Sequence, residues 1–200
     1  KEENGVVTAA ELTNTLNVGK IQIAKLFSGD LDDTKLTDAQ KRQITFTIAG
    51  PDGYNGPTSV TYDQFTAGSY VVKNAPYGTY TITETNAAFD GYKNTVTYAV
   101  GTSKNDTDAT VEISSDATSL VTITNTYTAY VNISGTKVWD DNDNQDGLRP
   151  NNITVIVKNG DTEVDRKTVT PDAAGNWAYS FENLPKYDAT GKAITYTVSE

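Results

Sequence analysis

The chain has no cysteine, no histidine and no methionine. Without cysteine there are no disulfides, no thiol nucleophile and no thiolate metal site. Without histidine the commonest general base and metal ligand is gone. Any chemistry must therefore run on carboxylates, hydroxyls, amides or amines. Basic residues are scarce: 16 Lys and Arg stand against 26 Asp and Glu, for a net charge of −10. That balance argues against nucleic acid and anionic membrane surfaces as partners. No run of 18 apolar residues occurs, so no membrane insertion is expected. Nothing at the start reads as a signal peptide, and the sequence is expected to be a mature or excised fragment. Hydrophobic residues make up only 36%. Thr, Tyr and Val carry much of the chain, which suits strands with one wet face.

What is present is a long repeat. Leu12-Thr13-Asn14-Thr15-Leu16 precedes Lys25 in Ile23-Ala24-Lys25-Leu26-Phe27, and Ile123-Thr124-Asn125-Thr126-Tyr127 precedes Lys137 in Gly135-Thr136-Lys137-Val138-Trp139. Tyr80-Thr81-Ile82-Thr83-Glu84 recurs as Tyr196-Thr197-Val198-Ser199-Glu200. Asn14 to Asn125 is 111 residues, Lys25 to Lys137 is 112 and Glu84 to Glu200 is 116. A period that long implies tandem domains, each large enough for its own core.

Strands are expected at 6–16, 18–27, 44–48, 60–62, 70–72, 80–83, 96–100, 110–113 and 120–127, then at 131–139, 153–158, 163–168, 177–181 and 194–200. Residues 31–41 read as one helical turn or a polar loop. Short strands with turn signals at close intervals indicate β-sandwiches. The expected domains are 1–17 as the last strand of an upstream-type repeat, 18–128 as a complete sandwich, and 129–200 as a second sandwich lacking its final strands. Thr128-Ala129-Tyr130 leaves almost no linker between them.

Period-2 alternation puts Ile23, Lys25 and Phe27 on one face, and Ile123, Asn125 and Tyr127 on another. First and last strands of a sandwich commonly pair. If both faces are core, an amine and a carboxamide meet in a dry interior, and Glu84, in phase with Ile82 and Tyr80, joins them. Burial lowers a lysine pKa and yields a neutral, nucleophilic amine, whereas it holds a carboxylic acid protonated. The trio can then form a Lys–Asn amide with loss of ammonia, Glu84 acting as the acid. Read singly, the residues have blander explanations. Lys25 snorkels to water, Asn125 ends a strand, and Glu84 guards an edge.

Thr136 to Asp141, Gly147-Leu148-Arg149-Pro150, Phe181 to Tyr187 and Tyr196 to Glu200 resemble the Cna-B domain family, stalk repeats of Gram-positive collagen adhesins and pilins. Residues 18–128 resemble the related pilin isopeptide-linkage domains through Lys25, Gly78 to Glu84 and Ile123 to Tyr127. The resemblance implies an all-β fold of two tandem inverse Ig-like sandwiches. It also implies a self-formed Lys25–Asn125 isopeptide bond promoted by Glu84. Lys137 and Glu200 would be two members of a second trio. The implied role is a structural stalk or pilin-like module on the cell wall of a Gram-positive bacterium, with no cofactor, no metal and no turnover of an external substrate. Its partners would be other repeats of the same surface protein. A second copy is a further expected partner through strand complementation, Asn14 of one molecule reaching Lys137 and Glu200 of another. A ligand-binding adhesin module, for a host matrix protein or glycan, is the competing class. No sortase Leu-Pro-x-Thr-Gly signal occurs, so sortase chemistry is not assigned to this segment. Asp140 to Gly147 lacks the Gly and Glu placement of an EF-hand loop and reads as a solvated acidic loop. The two tryptophans and twelve tyrosines read as core and cross-strand pairs.

Overall fold

A computed structural model describes residues 16–142 and 144–200. The strand expected at 6–16, with Asn14, lies outside the described residues except for Leu16. Among the described residues there are thirteen strands, one six-residue α-helix, α1 (Asp38–Gln43), and a short 3-10 turn at Tyr62–Gln64. They form two compact units. One gathers the described residues up to Leu26, Asp38–Asn86 and Thr97–Ile123, and the other Phe27–Thr37, Ala87–Val96 and Thr124–Glu200.

The strands are β1 (Val18–Gly29), β2 (Thr45–Ala49), β3 (Ser59–Thr61), β4 (Ser69–Pro76), β5 (Gly78–Thr85), β6 (Tyr92–Val100), β7 (Ser103–Asn105), β8 (Ala109–Ile113) and β9 (Thr118–Lys137), followed by β10 (Ile153–Asn159), β11 (Thr162–Val169), β12 (Trp177–Pro185) and β13 (Tyr196–Ser199). One sheet runs β4-β1-β9-β6-β7, with β12 also pairing β9, and a second runs β3-β2-β5-β8. Alternation decides which side chains enter the core. Ile21 and Ile23 of β1, Phe46 and Ile48 of β2, Tyr80 and Ile82 of β5, and Val121 and Ile123 of β9 are all nearly or wholly buried. Within the first unit Phe65 bridges the two sheets, its ring 4.7 Å from Phe46 and 5.7 Å from Tyr70. Gly78 opens β5 at φ 141, and a Cβ there would stand 2.9 Å from Pro51, so the tight Pro76-Tyr77-Gly78 corner suits glycine.

In the second unit, residues 130–137 of β9 pair antiparallel with β12, from Tyr130 against Pro185 to Lys137 against Trp177. A separate sheet runs β11-β10-β13. Ile153, Val155, Val157, Val169, Trp177, Phe181 and Leu184 make its core. Trp139 meets Trp177 edge-on at 5.3 Å.

The strand expectations need local correction. Strands expected at 120–127 and 131–139 are one strand, β9, because Thr128-Ala129-Tyr130 offers neither Gly nor Pro to break it and continues the alternation. Strand β6 starts at Tyr92, four residues before the expected position. β7 was not expected, being three exposed polar residues.

Candidate functional site

Lys25 lies on β1 with its side chain wholly buried. Its Nζ is 2.8 Å from Oε2 of Glu84 on β5, whose side chain is 1% exposed. The same Nζ donates to the carbonyl of Ile123 on β9 at 3.5 Å. The Lys25 backbone is itself pinned, its N–H donating to the Gly68 carbonyl at 2.8 Å. Burial lowers the Lys25 pKa to about 8, and the charge and hydrogen bond of Glu84 oppose that shift without cancelling it. An amine this deep, with a carboxylate at contact distance, has a proton acceptor within reach.

Glu84 is held from two sides. Strand pairing sets it against Phe46 of β2, and its backbone N–H donates to the Tyr98 hydroxyl on β6 at 2.8 Å. Tyr98 is 3% exposed, so this tie crosses between the two sheets in the interior. Sequence reasoning gave Tyr98 no role. Its strand carries no motif, and only the sheet arrangement brings the hydroxyl to Glu84.

Asn125 is fully buried on β9. Its Nδ2 donates to the Tyr127 hydroxyl at 3.2 Å, and that hydroxyl donates to the Ala87 carbonyl at 2.7 Å. Tyr127 is wedged among Phe27, Phe89 and Tyr92, with ring centroids 6.4, 5.5 and 6.1 Å away. Lys25 and Asn125 are the two buried polar or charged residues of the core among the described residues. Such residues are rare inside a protein unless something specific engages them.

The second pair is wetter. Lys137 Nζ and Glu200 Oε2 are 2.9 Å apart, with side chains 29% and 43% exposed. Lys137 Nζ also sits 4.6 Å above the Trp139 ring. The pair borders an open groove of about 300 Å³ lined by Val138, Ile153, Val155, Tyr179 and Val198. The acidic loop after Trp139 is closed by Arg149, whose guanidinium bonds both Asp141 oxygens at 2.6 and 2.5 Å. Those hydrogen bonds pull the Asp141 carboxyl down to about 2. No cluster of three His, Cys, Asp or Glu suited to a metal occurs among the described residues. No helix among them is long and apolar enough to cross a membrane.

Residues 133–200 match the model of the Cna protein B-type domain, and residues 21–128 match a domain of unknown function, DUF5979. The collagen adhesin of Staphylococcus aureus is 50% identical over 80 residues, which cover 39% of this chain and 6% of that protein. Among solved structures, two B repeat units of the Staphylococcus aureus collagen binding protein align over 91% of this chain and 44% of theirs, at 24% identity and TM-score 0.36. A streptococcal ancillary pilin aligns over 94% of this chain and 60% of its own, at 14% identity and TM-score 0.37. A mutant of the Streptococcus pyogenes major pilin aligns over 55% and 48%, at 18% and 0.34.

Proposed function

We propose that this chain, which belongs to the DUF5979 family through residues 21–128 and carries a Cna protein B-type domain at 133–200, is a load-bearing stalk module of a Gram-positive surface adhesin or pilin, locked by a Lys25–Asn125 isopeptide bond. The observation that carries the reading is the wholly buried Lys25 amine held 2.8 Å from the equally buried Glu84 carboxylate. An ion pair alone is a poor reason to bury both groups, since desolvation commonly offsets their attraction. A reaction that consumes the amine supplies a reason. Two further observations support the choice of Asn125. β1 and β9 are neighbours in one sheet, and the Lys25 amine donates to Ile123, two residues before Asn125 on β9.

The chemistry is a single turnover without cofactor. Lys25 Nζ attacks Cγ of Asn125, the C–Nδ2 bond breaks, and Glu84 carries the amine's proton to Nδ2, which leaves as ammonia. The product is neutral and needs no counter-ion. Intact mass tests it. The purified chain is expected to weigh one ammonia less than its sequence, and Lys25→Ala or Glu84→Ala restores the full mass. A wild-type chain at full mass overturns the reading.

The Lys137–Glu200 pair beside its open groove supports a second reading for residues 129–200. There a strand bearing a carboxamide completes the sheet and offers Asn to Lys137. Asn14 of another copy is the proposed donor, linking chains head to tail. A covalent dimer on a denaturing gel, lost with Asn14→Ala, is the expected result, and a strictly monomeric ladder refutes it. A role in binding a host matrix protein or glycan is the alternative for the whole module, tested by a binding screen against such ligands.

A further inference from the structure

Resting on the Lys25–Asn125 reading, we infer that Tyr127 is a catalytic residue of the cross-linking reaction: it fixes which end of the Asn125 carboxamide faces the amine and receives the departing nitrogen. A phenol has one proton to give. Tyr127 gives it to the Ala87 carbonyl at 2.7 Å, so toward Asn125 Nδ2 at 3.2 Å the hydroxyl acts only as an acceptor. A carboxamide turned the other way would set its oxygen against the phenol oxygen with no proton between them. The NH2 arm therefore belongs at Tyr127, and the carbonyl oxygen lies on the arm turned from it. Asn125 and Tyr127 share one face of β9 as residues two apart, and both are wholly buried, away from bulk solvent. Phe27, Phe89 and Tyr92 hold the ring, which keeps the hydroxyl from swinging away.

The orientation matters because the two arms have opposite fates. The oxygen must gain electron density as Nζ adds to Cγ, and Nδ2 must gain the amine's proton and depart as ammonia. With Nδ2 anchored on Tyr127, the oxygen end is the one offered for polarisation. The nascent ammonia keeps an acceptor for one of its N–H bonds until it escapes. No atom of Tyr127 enters the product.

Two experiments on the full chain test this. In a Lys25→Met chain the carboxamide persists, and nitrogen-15 NMR of the Asn125 side chain is expected to show one slowly exchanging, hydrogen-bonded NH2 proton that Tyr127→Phe abolishes. Two rapidly exchanging protons overturn the proposal whatever the bond does. Then the loss of ammonia is timed by intact mass after refolding. Tyr127→Phe is expected to slow it about tenfold or more, the size of one lost buried hydrogen bond. Thermal melting of Tyr127→Phe in the Lys25→Met background measures what the hydroxyl contributes to folding alone. Unslowed ammonia loss in Tyr127→Phe overturns the proposal while leaving the cross-link standing. Absence of ammonia loss in wild type instead sinks the cross-link, a different and recognisable result.

Discussion

Replacing Glu84 with Gln keeps the shape of the buried acid and removes its ability to take and deliver a proton. The expected product is a folded chain that never loses ammonia. The thermodynamic consequence follows from the loop the bond would close. Lys25 to Asn125 spans 100 residues. Closing a loop of that length removes entropy from the unfolded chain worth about 4–5 kcal/mol. For the 21–128 stretch, with an unfolding entropy near 2 cal/mol/K per residue, that corresponds to a fall of about 20 °C in Tm. Differential scanning calorimetry of wild type and Glu84→Gln, each verified by intact mass, measures it. Removing the counter-ion of Lys25 adds its own penalty, so 20 °C is the lower side of the expected fall. Two chains that differ in mass by one ammonia yet melt within about 5 °C refute the loop-closure reasoning. A Glu84→Gln chain that loses ammonia at the wild-type rate refutes the acid.

Further expectations follow from the same geometry. The proposed step needs the proton carried by the Lys25 amine, and Lys25 gives it up near pH 8. The refolding-coupled rate of ammonia loss is therefore expected to decline above about pH 8, and a rate that climbs to a plateau there excludes Glu84 as proton donor. Stability moves the other way in Asn125→Ala, which cannot link. Lys25 titrates near 8 when folded and at 10.5 when unfolded, so the unfolded state binds more protons in that window. Stability by urea denaturation should rise from pH 8 to 10.5 and stay level just below 8. In single-molecule pulling, the linked segment releases no length between residues 25 and 125, whereas Glu84→Gln releases up to about 330 Å. Gly29 has φ 85, and a Cβ there would stand 2.1 Å from the Tyr127 carbonyl oxygen, so Gly29→Ala should cost more than about 2 kcal/mol in chemical denaturation.

The burial of Lys25 and Asn125 was legible because burial follows period-2 alternation. Once Ile23 and Ile123 are core, Lys25 and Asn125 must be too, and the long repeat says these positions are not accidents. Glu84 was legible from Tyr80 and Ile82 in the same way. The all-β class was readable from Thr, Tyr and Val in short alternating runs. Other features left no trace. α1 buries none of its six residues, so it carries no apolar stripe, and β7 is likewise exposed throughout. The continuity of β9 through Ala129 was hidden by the repeat itself, which suggested a boundary where the local chemistry provides no breaker. Tyr98 and the Tyr127–Ala87 link depend on which strands become neighbours, and a linear pattern does not encode that.

The depth of Lys25 has a temporal meaning. In an extended chain its ammonium is hydrated and unreactive, and no acid or carboxamide stands beside it. The proposed nucleophile would come into being when the sheets close over it, so the reagent would be switched on by the same event that brings its target within range. Such a fastening is self-timed. Under the proposed reaction it would stay silent while the polypeptide is threaded or unravelled, and would set once, without an enzyme to supervise it, when the fold is complete.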